Sequence, residues 1–531
     1  MKKLTILAIA LLVAGSAFAS GHLTMQANAT NPAAGAATGV TGVLAGPATT
    51  NNDDSCDIAS AAPAATLLLP YFIVDLGTAG TGRTTVFSIT NVSRYSQIAH
   101  VTLWTDWSAP VLDFNLFLTG YDVVPVNLYD IIARGLIPTT SVSSPNARTG
   151  ATPTNPNTGT QPIPTNTLNG GNPNFLTTVP TNCGAGRLPG QLPSSTVADV
   201  RNALSTGTST GAGAFCSGTQ IGSNHGANTA VGYVTIDVNA DCNTSLPNNP
   251  AYFTTYILFD NVLIGDYYDV AQSTATGNYA GGNPLTHIRA IPEGGPAGSA
   301  PGTFLPFTFY DRYTAGAAVG GRSVDRRQPL PSAFAARWIS GSTAAFDTNY
   351  KIWREGLTGA GAACSAYANN DAIPVAELVR FDERENAAIV GSGIIYSPFT
   401  PGGATTREAD SINVNSSIFP NLATTDAGGW MYMNLSNGGT ANGVTVYSAQ
   451  RAGFSATAGG RDVSQNWVII SMFAEGRYGV DYDAAWLGNG CSPALAGSGS
   501  APIGPAGGAL IGTNSNNYAT TPNTASTNVT P

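Results

Sequence analysis

Charge is what this chain has least of. Only 10% of its 531 residues are Asp, Glu, Lys or Arg, against roughly 25% in an ordinary globular protein. Lysine is scarcer still: Lys2, Lys3 and Lys351 are the whole complement, and every other cation is arginine. The formal net charge is −9. Such a surface does not suit nucleic acid, because neutralising phosphates takes a concentrated positive patch. It offers little attraction to anionic lipid either. Solvation has to come from Asn, Thr, Ser and Gly. Long apolar runs are missing too. No stretch after the first twenty residues reaches the ~18 uncharged apolar residues of a spanning helix, so no membrane span is expected. CxxC and HxxxH spacings are lacking, and His22, His100, His225 and His287 stand far apart, which speaks against a structural zinc site. Gly281-Gly282 and Gly320-Gly321 lack the Lys-Ser/Thr of a phosphate loop, so no cofactor is implied. Gly391-Ser392-Gly393 lacks the spacing of a G-x-S-x-G nucleophile elbow, and no such elbow is expected.

What is present begins with export. Lys2 and Lys3 form a short positive region, Leu4 to Val13 is an almost unbroken apolar run, and Ala17-Phe18-Ala19 sets small residues where a signal peptidase reads. This three-part pattern predicts a secretory signal peptide over residues 1–19, cleaved before Ser20. The apolar run is too short to cross ~30 Å of hydrocarbon. Cleavage removes two lysines and no acid, moving the formal charge from −9 to −11. The expected location is outside the cytoplasm: periplasm, cell surface or extracellular space. Six cysteines, Cys56, Cys183, Cys216, Cys242, Cys364 and Cys491, read in that setting as three disulfides. Fifteen pairings are open; Cys183–Cys216 and Cys364–Cys491 are favoured, leaving Cys56–Cys242.

Residues 20–55 and 495–531 carry few large apolar side chains. They cannot bury enough surface to offset ordering entropy and are expected to be a flexible leader and tail. Between them the pattern is mostly β. Leu67 to Val74, interrupted by Pro70, predicts an edge strand. Thr84 to Val92, Ala99 to Thr105, Leu112 to Leu118 and Val123 to Leu128 follow with period-two alternation, which predicts one buried and one wet face. Residues 139–182 are a Thr/Pro/Asn/Gly insertion, long for a loop. A short helix near 195–205 is predicted, with Ser195 as cap and Val197, Val200 and Leu204 on one face. Strand patterns resume at Val231 to Val238, Tyr252 to Ile264, Thr303 to Tyr310, Ala388 to Tyr396, Gly429 to Leu435, Gly443 to Tyr447 and Asn466 to Phe473. The expected architecture is two β-sandwich-like (Ig-like) modules with long polar loops. The first spans 56–290 and contains the insertion, and the second spans 291–494.

Charge clusters are the candidate sites. Tyr310 and Arg312, with Asp325 and Arg326, could hold an anionic or sugar ligand, though Arg–Asp forks are more often structural. Glu377, Glu383, Glu475 and Asp481 could supply a carboxylate pair for glycoside hydrolysis, which needs two such groups about 5–10 Å apart. Adjacent Asp382 and Glu383 point to opposite strand faces and are no such pair alone. Asp481 and Asp483 share one strand face and could bind calcium, although no Asp-rich loop surrounds them. Trp104 and Trp107 could form a sugar-stacking platform, but Trp in a β protein is more often core.

Phe87-Ser88-Ile89-Thr90-Asn91-Val92-Ser93, Ala99 to Asp106, Leu112-Asp113-Phe114-Asn115, Asp325 to Pro331 and Ser464 to Arg477 together resemble an uncharacterised family of exported, β-rich bacterial proteins. The resemblance covers most of 56–493. It implies export and β architecture, and brings no activity, substrate or site. The expected role is structural, adhesive or self-assembling, with the chain itself, a surface glycan or a surface protein as partner. The alternative is a secreted hydrolase acting on carbohydrate through a carboxylate pair.

Overall fold

Segments in which β-branched and aromatic residues alternate with short polar ones become strands, and the chain is mostly β. The structure is a computed structural model. Its described residues lie within 63–138, 188–252, 262–288, 333–354, 377–390, 408–445 and 466–486, with two-residue pieces at 163–164 and 175–176. The first half runs β1 (Thr66–Asp75), β2 (Arg83–Asn91), β3 (Gln97–Thr105), β4 (Pro110–Leu118), β5 (Val123–Asn127), β6 (Ile163–Pro164) and β7 (Phe175–Leu176). Then come α1 (Ser194–Ser205), β8 (Thr229–Asn239), β9 (Leu263–Ile264), β10 (Asp266–Ser273), β11 (Gly277–Pro284) and β12 (Thr286–Ile288). The second half runs β13 (Ala333–Ile339), β14 (Phe346–Arg354), β15 (Glu377–Asp382), β16 (Ala387–Val390), β17 (Ala409–Asn413) and β18 (Gly428–Asn434). It ends with β19 (Thr440–Ala441), β20 (Val444–Thr445), β21 (Asn466–Ala474), β22 (Tyr478–Asp483) and β23 (Ala485–Trp486).

Two antiparallel sheets form the first sandwich. One has the order β12-β1-β8-β3-β4, the other β11-β10-β2-β5 with β9 beside β2. They close on Leu67, Val101 and Ile236 from the first sheet and Phe87, Ile89 and Tyr267 from the second. The second sandwich pairs a β16-β15-β18-β13-β23 sheet with a β17-β14-β21-β22 sheet. Its core joins Trp338, Leu378 and Met431 to Ile352, Val468 and Ile470.

The β17-β14-β21-β22 sheet is covered on both faces. Along β14, Tyr350 and Ile352 enter the second core, while Trp353, next in the chain, belongs to the first. Along β21, Val468 and Ile470 face the second core and Trp467 and Ile469 the first. Side chains alternate across a strand, so one sheet can serve two cores only if both sets are apolar or paired.

Several expectations change here. The nine residues of β3 are all buried, so its second face is not wet: α1 lies against β3, β4 and β8. β1 is not an edge over its whole length. Thr66 to Leu68 pair with both β12 and β8, and only past Leu68 does one side open. Pro70 sits there, at a register shift in the β8 ladder between Leu69 and Phe72, where its missing N–H costs no ladder bond. α1 starts at Ser194, with Pro193 in the cap position and no side-chain cap bond. The fixed φ of proline sets the entry, and Ser195 does not cap. Val200, Ala203 and Leu204 are buried and Val197 packs at the core margin. A π-helical turn over Asp130–Arg134 was not foreseen. It is closed by Gly135 at φ 70, where an added Cβ would lie 2.5 Å from Val197 Cγ2. Among the described residues, the expected Tyr252–Ile264 strand is only β9, and Tyr252 is a buried side chain donating to Asp237 Oδ2 at 2.5 Å. Trp104 and Trp107 are both buried and form no platform: Trp104 stacks on Tyr233 at 5.6 Å and donates to Thr235 Oγ1 at 2.8 Å. The expected Thr303–Tyr310 strand lies outside the described residues. Cys216 and Cys242 are each disulfide-bonded, and no free cysteine occurs among the described residues. Every expected pairing has at least one member outside those residues.

Gly232 on β8 faces Thr105 on β3, and an added Cβ would strike the Trp104 carbonyl oxygen and crowd the Phe72 ring at 3.0 Å. Gly232→Ala is expected to destabilise the protein by about 1–3 kcal/mol, the range of an overpacked core, read as a lowered urea midpoint with an unchanged slope.

Candidate functional site

The only lysine outside the leader pattern, Lys351, lies on β14 between Tyr350 and Ile352, and alternation turns it toward the first sandwich. Its side chain is 2% exposed. Nζ meets Asp481 Oδ2 of β22 at 2.6 Å and Asp269 Oδ2 of β10 at 3.3 Å, and stands 5.4 Å from the Tyr267 ring centroid. Arg83 of β2 completes the set, its Nε donating to Asp269 Oδ1 at 2.8 Å and its Nη2 paired with Oδ2. Tyr267 donates its hydroxyl to Asp481 Oδ2 at 3.3 Å. Two carboxylates and two cations from four strands thus close on one another where the sandwiches meet. Burial opposes ionisation of Asp269, but Lys351 and then Arg83 outweigh it and hold its carboxyl below the ordinary 3.8.

Asp483, two residues along β22, faces the same way. It accepts from Asn283 Nδ2 of β11 at 2.7 Å and from Trp467 Nε1 at 3.2 Å, with no cation beside it among the described residues. Burial pushes its carboxyl up to about 6 against those two hydrogen bonds.

A second contact zone ties the 106–109 turn to the start of β17. The Asp106 carbonyl accepts the N–H groups of Glu408 at 2.5 Å and Ala409 at 3.3 Å. Ser108, at φ 59, donates to Glu408 Oε2 and accepts from Tyr233 OH at 2.6 Å. The Asp106 carboxylate is taken up by the Ser223 N–H at 2.9 Å and His225 Nε2 at 3.1 Å. Tyr233 meets Trp353 edge-on at 5.9 Å, so aromatic contact runs from Trp104 through Tyr233 into the second sandwich.

Carboxyls whose pKa values are driven apart are an acid/base signature. The geometry here points elsewhere. The Asp481 side chain is fully buried and held by Lys351. Glu383 sits on the β15–β16 turn, half-exposed and paired with Arg337. The backbone of Glu377 starts β15, its side chain is outside the described residues, and so is Glu475. Among the described residues, the structure therefore brings no two of these four carboxyls together. Asp481 and Asp483 do share a face, but Lys351 occupies the place foreseen for calcium. No group of three or more His, Cys, Asp or Glu among the described residues is set to hold a metal. Tyr310, Arg312, Asp325 and Arg326 lie outside the described residues.

Sequence reasoning missed Asp269 and Lys351 as site residues, because their partners are 130 positions or more away or on other sheets. It also passed over Gly207-Thr208-Ser209-Thr210-Gly211, which does carry the G-x-S-x-G spacing. That segment follows a helix and is bridged at Thr208 to Gln220, whereas a nucleophile elbow turns from strand into helix. No protein-family model, curated protein sequence or solved structure matches this chain.

Lys351→Met removes the cation that two buried carboxylates share and should cost about 3–5 kcal/mol. Adding Asp481→Asn to it should recover part of that loss, in urea titrations of the single and double variants. For Asp483, the folded carboxyl binds its proton more tightly than the unfolded one. Its contribution to stability is therefore full below about pH 4 and lost as pH rises toward 6. Asp483→Asn, which keeps an acceptor for Asn283 and Trp467, should match the parent's melting temperature near pH 4 and exceed it at pH 7.

Proposed function

We propose that this is an exported, non-catalytic protein of the periplasm, cell surface or extracellular space, which works by presenting sandwich surfaces in an adhesive or self-assembling role. The observation that carries this reading is the fate of the charges: the buried ionisable groups at the candidate site are spent on joining the two sandwiches. Substrate has no route to Asp481 past Lys351 and Tyr267. The leader pattern of residues 1–19 supports export. The oxidised state of Cys216 and Cys242 suits an oxidising compartment. Among the described residues no helix is long and apolar enough to cross a membrane.

The surface offered is the outer face of the β11-β10-β2-β5 sheet. Alternation that turns Tyr267 and Asp269 inward leaves Tyr268 and Val270 51% and 36% exposed. Val86, half-buried, stands opposite Tyr268, and Val123 at the edge strand β5 is 55% exposed. Pro125 on β5 weakens that strand as a template for edge pairing, so a second copy would dock by this face.

The mature chain, beginning at Ser20, should associate with rising concentration in light scattering and form assemblies in negative-stain images without calcium. Tyr268→Lys with Val270→Asp should abolish this while leaving the melting temperature within a few degrees. A strictly monomeric chain that binds no glycan or cell surface, or one that turns over a glycan panel in an Asp481-dependent way, would sink the proposal.

A further inference from the structure

The outer side of the β12-β1-β8-β3-β4 sheet, well away from the Tyr268 face, holds a cavity of about 670 Å³ between the start of β4, α1 and Ser209, Gly211 and Ala214. That is the size of a small-molecule site. Val111, Val200 and Leu246 give it an apolar strip. Its ionisable lining is Asp113 on β4 and Asp199 on α1, and no Lys, Arg or aromatic side chain lines it among the described residues. The Asp199 carboxylate seats against Gly211, where an added Cβ would collide with it. His100 Nε2 lies 3.9 Å from Asp113 Oδ2.

A second observation points to an occupant. Ser209 lines the cavity, is 3% exposed, and its Oγ has no hydrogen-bond partner. A buried hydroxyl left unpaired costs about 1–3 kcal/mol, and such groups in a native protein call for an explanation. Ligand capture supplies one. Ser209 stands in the G-x-S-x-G segment, but no histidine lines the cavity among the described residues, so the hydroxyl has no imidazole there to activate it.

We infer that this cavity binds a small aliphatic ammonium compound, its cationic head held by Asp113 and Asp199, its carbon chain on the Val111–Val200–Leu246 strip, and a polar atom paired with Ser209 Oγ. Hydrogen bonds between ions and carboxylates are the strong ones, and an apolar wall beside them favours an organic cation over a hydrated metal ion.

Calorimetry on the full mature chain with 1,4-diaminobutane, butylamine, 1-butanol, glucose and calcium chloride tests this. The amines should bind and raise the melting temperature, while butanol, glucose and calcium should not. Asp199→Asn, on a partly exposed helix face, should weaken amine binding about tenfold or more, the loss of one charge-assisted contact. Ser209→Ala should weaken it severalfold, and both variants should keep the parent's circular dichroism. Absence of amine binding, equal binding of butanol or glucose, binding of calcium alone, or indifference to Asp199→Asn would each overturn the inference. So would labelling of Ser209 by a fluorophosphonate, which would mark it as a nucleophile.

Discussion

A charge taken out of water must find its opposite, and in this protein that rule decides how two sandwiches are joined. Lys351, 2% exposed, would be intolerable on β14 by itself. Removing an ion from water costs several kcal/mol even after the surroundings relax. Its place is made possible by Asp269 and Asp481, which come from different sandwiches, and by Arg83, which balances the second carboxylate. Each sandwich alone holds a neutral pair. Asp269 and Arg83 belong to the first, Lys351 and Asp481 to the second, and the shared contact of Lys351 with both aspartates is what links the pairs. Packed apolar side chains could fill the same space at least as stably. The ion set contributes register instead: sliding β14 by one residue would aim Lys351 into the second core and Ile352 at two carboxylates.

The same constraint explains why so little charge is needed elsewhere. Over Tyr350–Arg354 and Trp467–Ile470 the β17-β14-β21-β22 sheet is wet on neither face, and the β12-β1-β8-β3-β4 sheet is covered outside by α1. Buried faces demand apolar or hydrogen-bonded side chains. Thr66, Asp237 and Tyr252 meet that demand as a chain in which both hydroxyls donate to the Asp237 carboxylate. Burial and then the Asp237 charge push the Tyr252 hydroxyl well up, so it stays a donor. A chain with two half-solvated sandwiches would carry more Lys and Glu on its outward strand positions.

How much of this could be read beforehand depends on range. Runs such as Val231 to Val238 and Asn466 to Phe473 declared β8 and β21 through their own composition, and the Val197/Val200/Leu204 stripe declared α1. The β10–β11 hairpin was illegible, since Gly277 to Pro284 has glycine and asparagine where a strand pattern needs bulk, and its pairing comes from β10 rather than from propensity. β14 was missed for a related reason: Lys351 and Asn349 break its apolar pattern, and only the partner sandwich makes them acceptable. The spacing of Asp481 and Asp483 correctly put both on one face. What that face would meet was not legible, because Lys351 and Asn283 are 130 and 200 positions away from their aspartates. The spacing around Ser209, by contrast, was in plain view, and only the fold shows that it lacks an elbow's strand-to-helix context.

The junction also bears on the kind of chemistry open to the chain. Glycosidic hydrolysis needs one carboxyl that keeps its proton, one that does not, and a sugar ring between them. Asp483, its carboxyl pushed up by burial, supplies the first, and Asp481 stands two residues away on the same strand. The third fails because Asn283 and Trp467 fill the space in front of one, and Lys351 and Tyr267 the space in front of the other. Raised and lowered pKa values at this locus are therefore the by-product of fastening two domains, each carboxyl responding to burial and to whichever neighbour the partner sandwich presents. Around the α1 cavity the reverse holds: Ser209 Oγ is buried with no hydrogen-bond partner. Between the two, the place where the protein has left a polar group waiting is the better indication of where it meets another molecule.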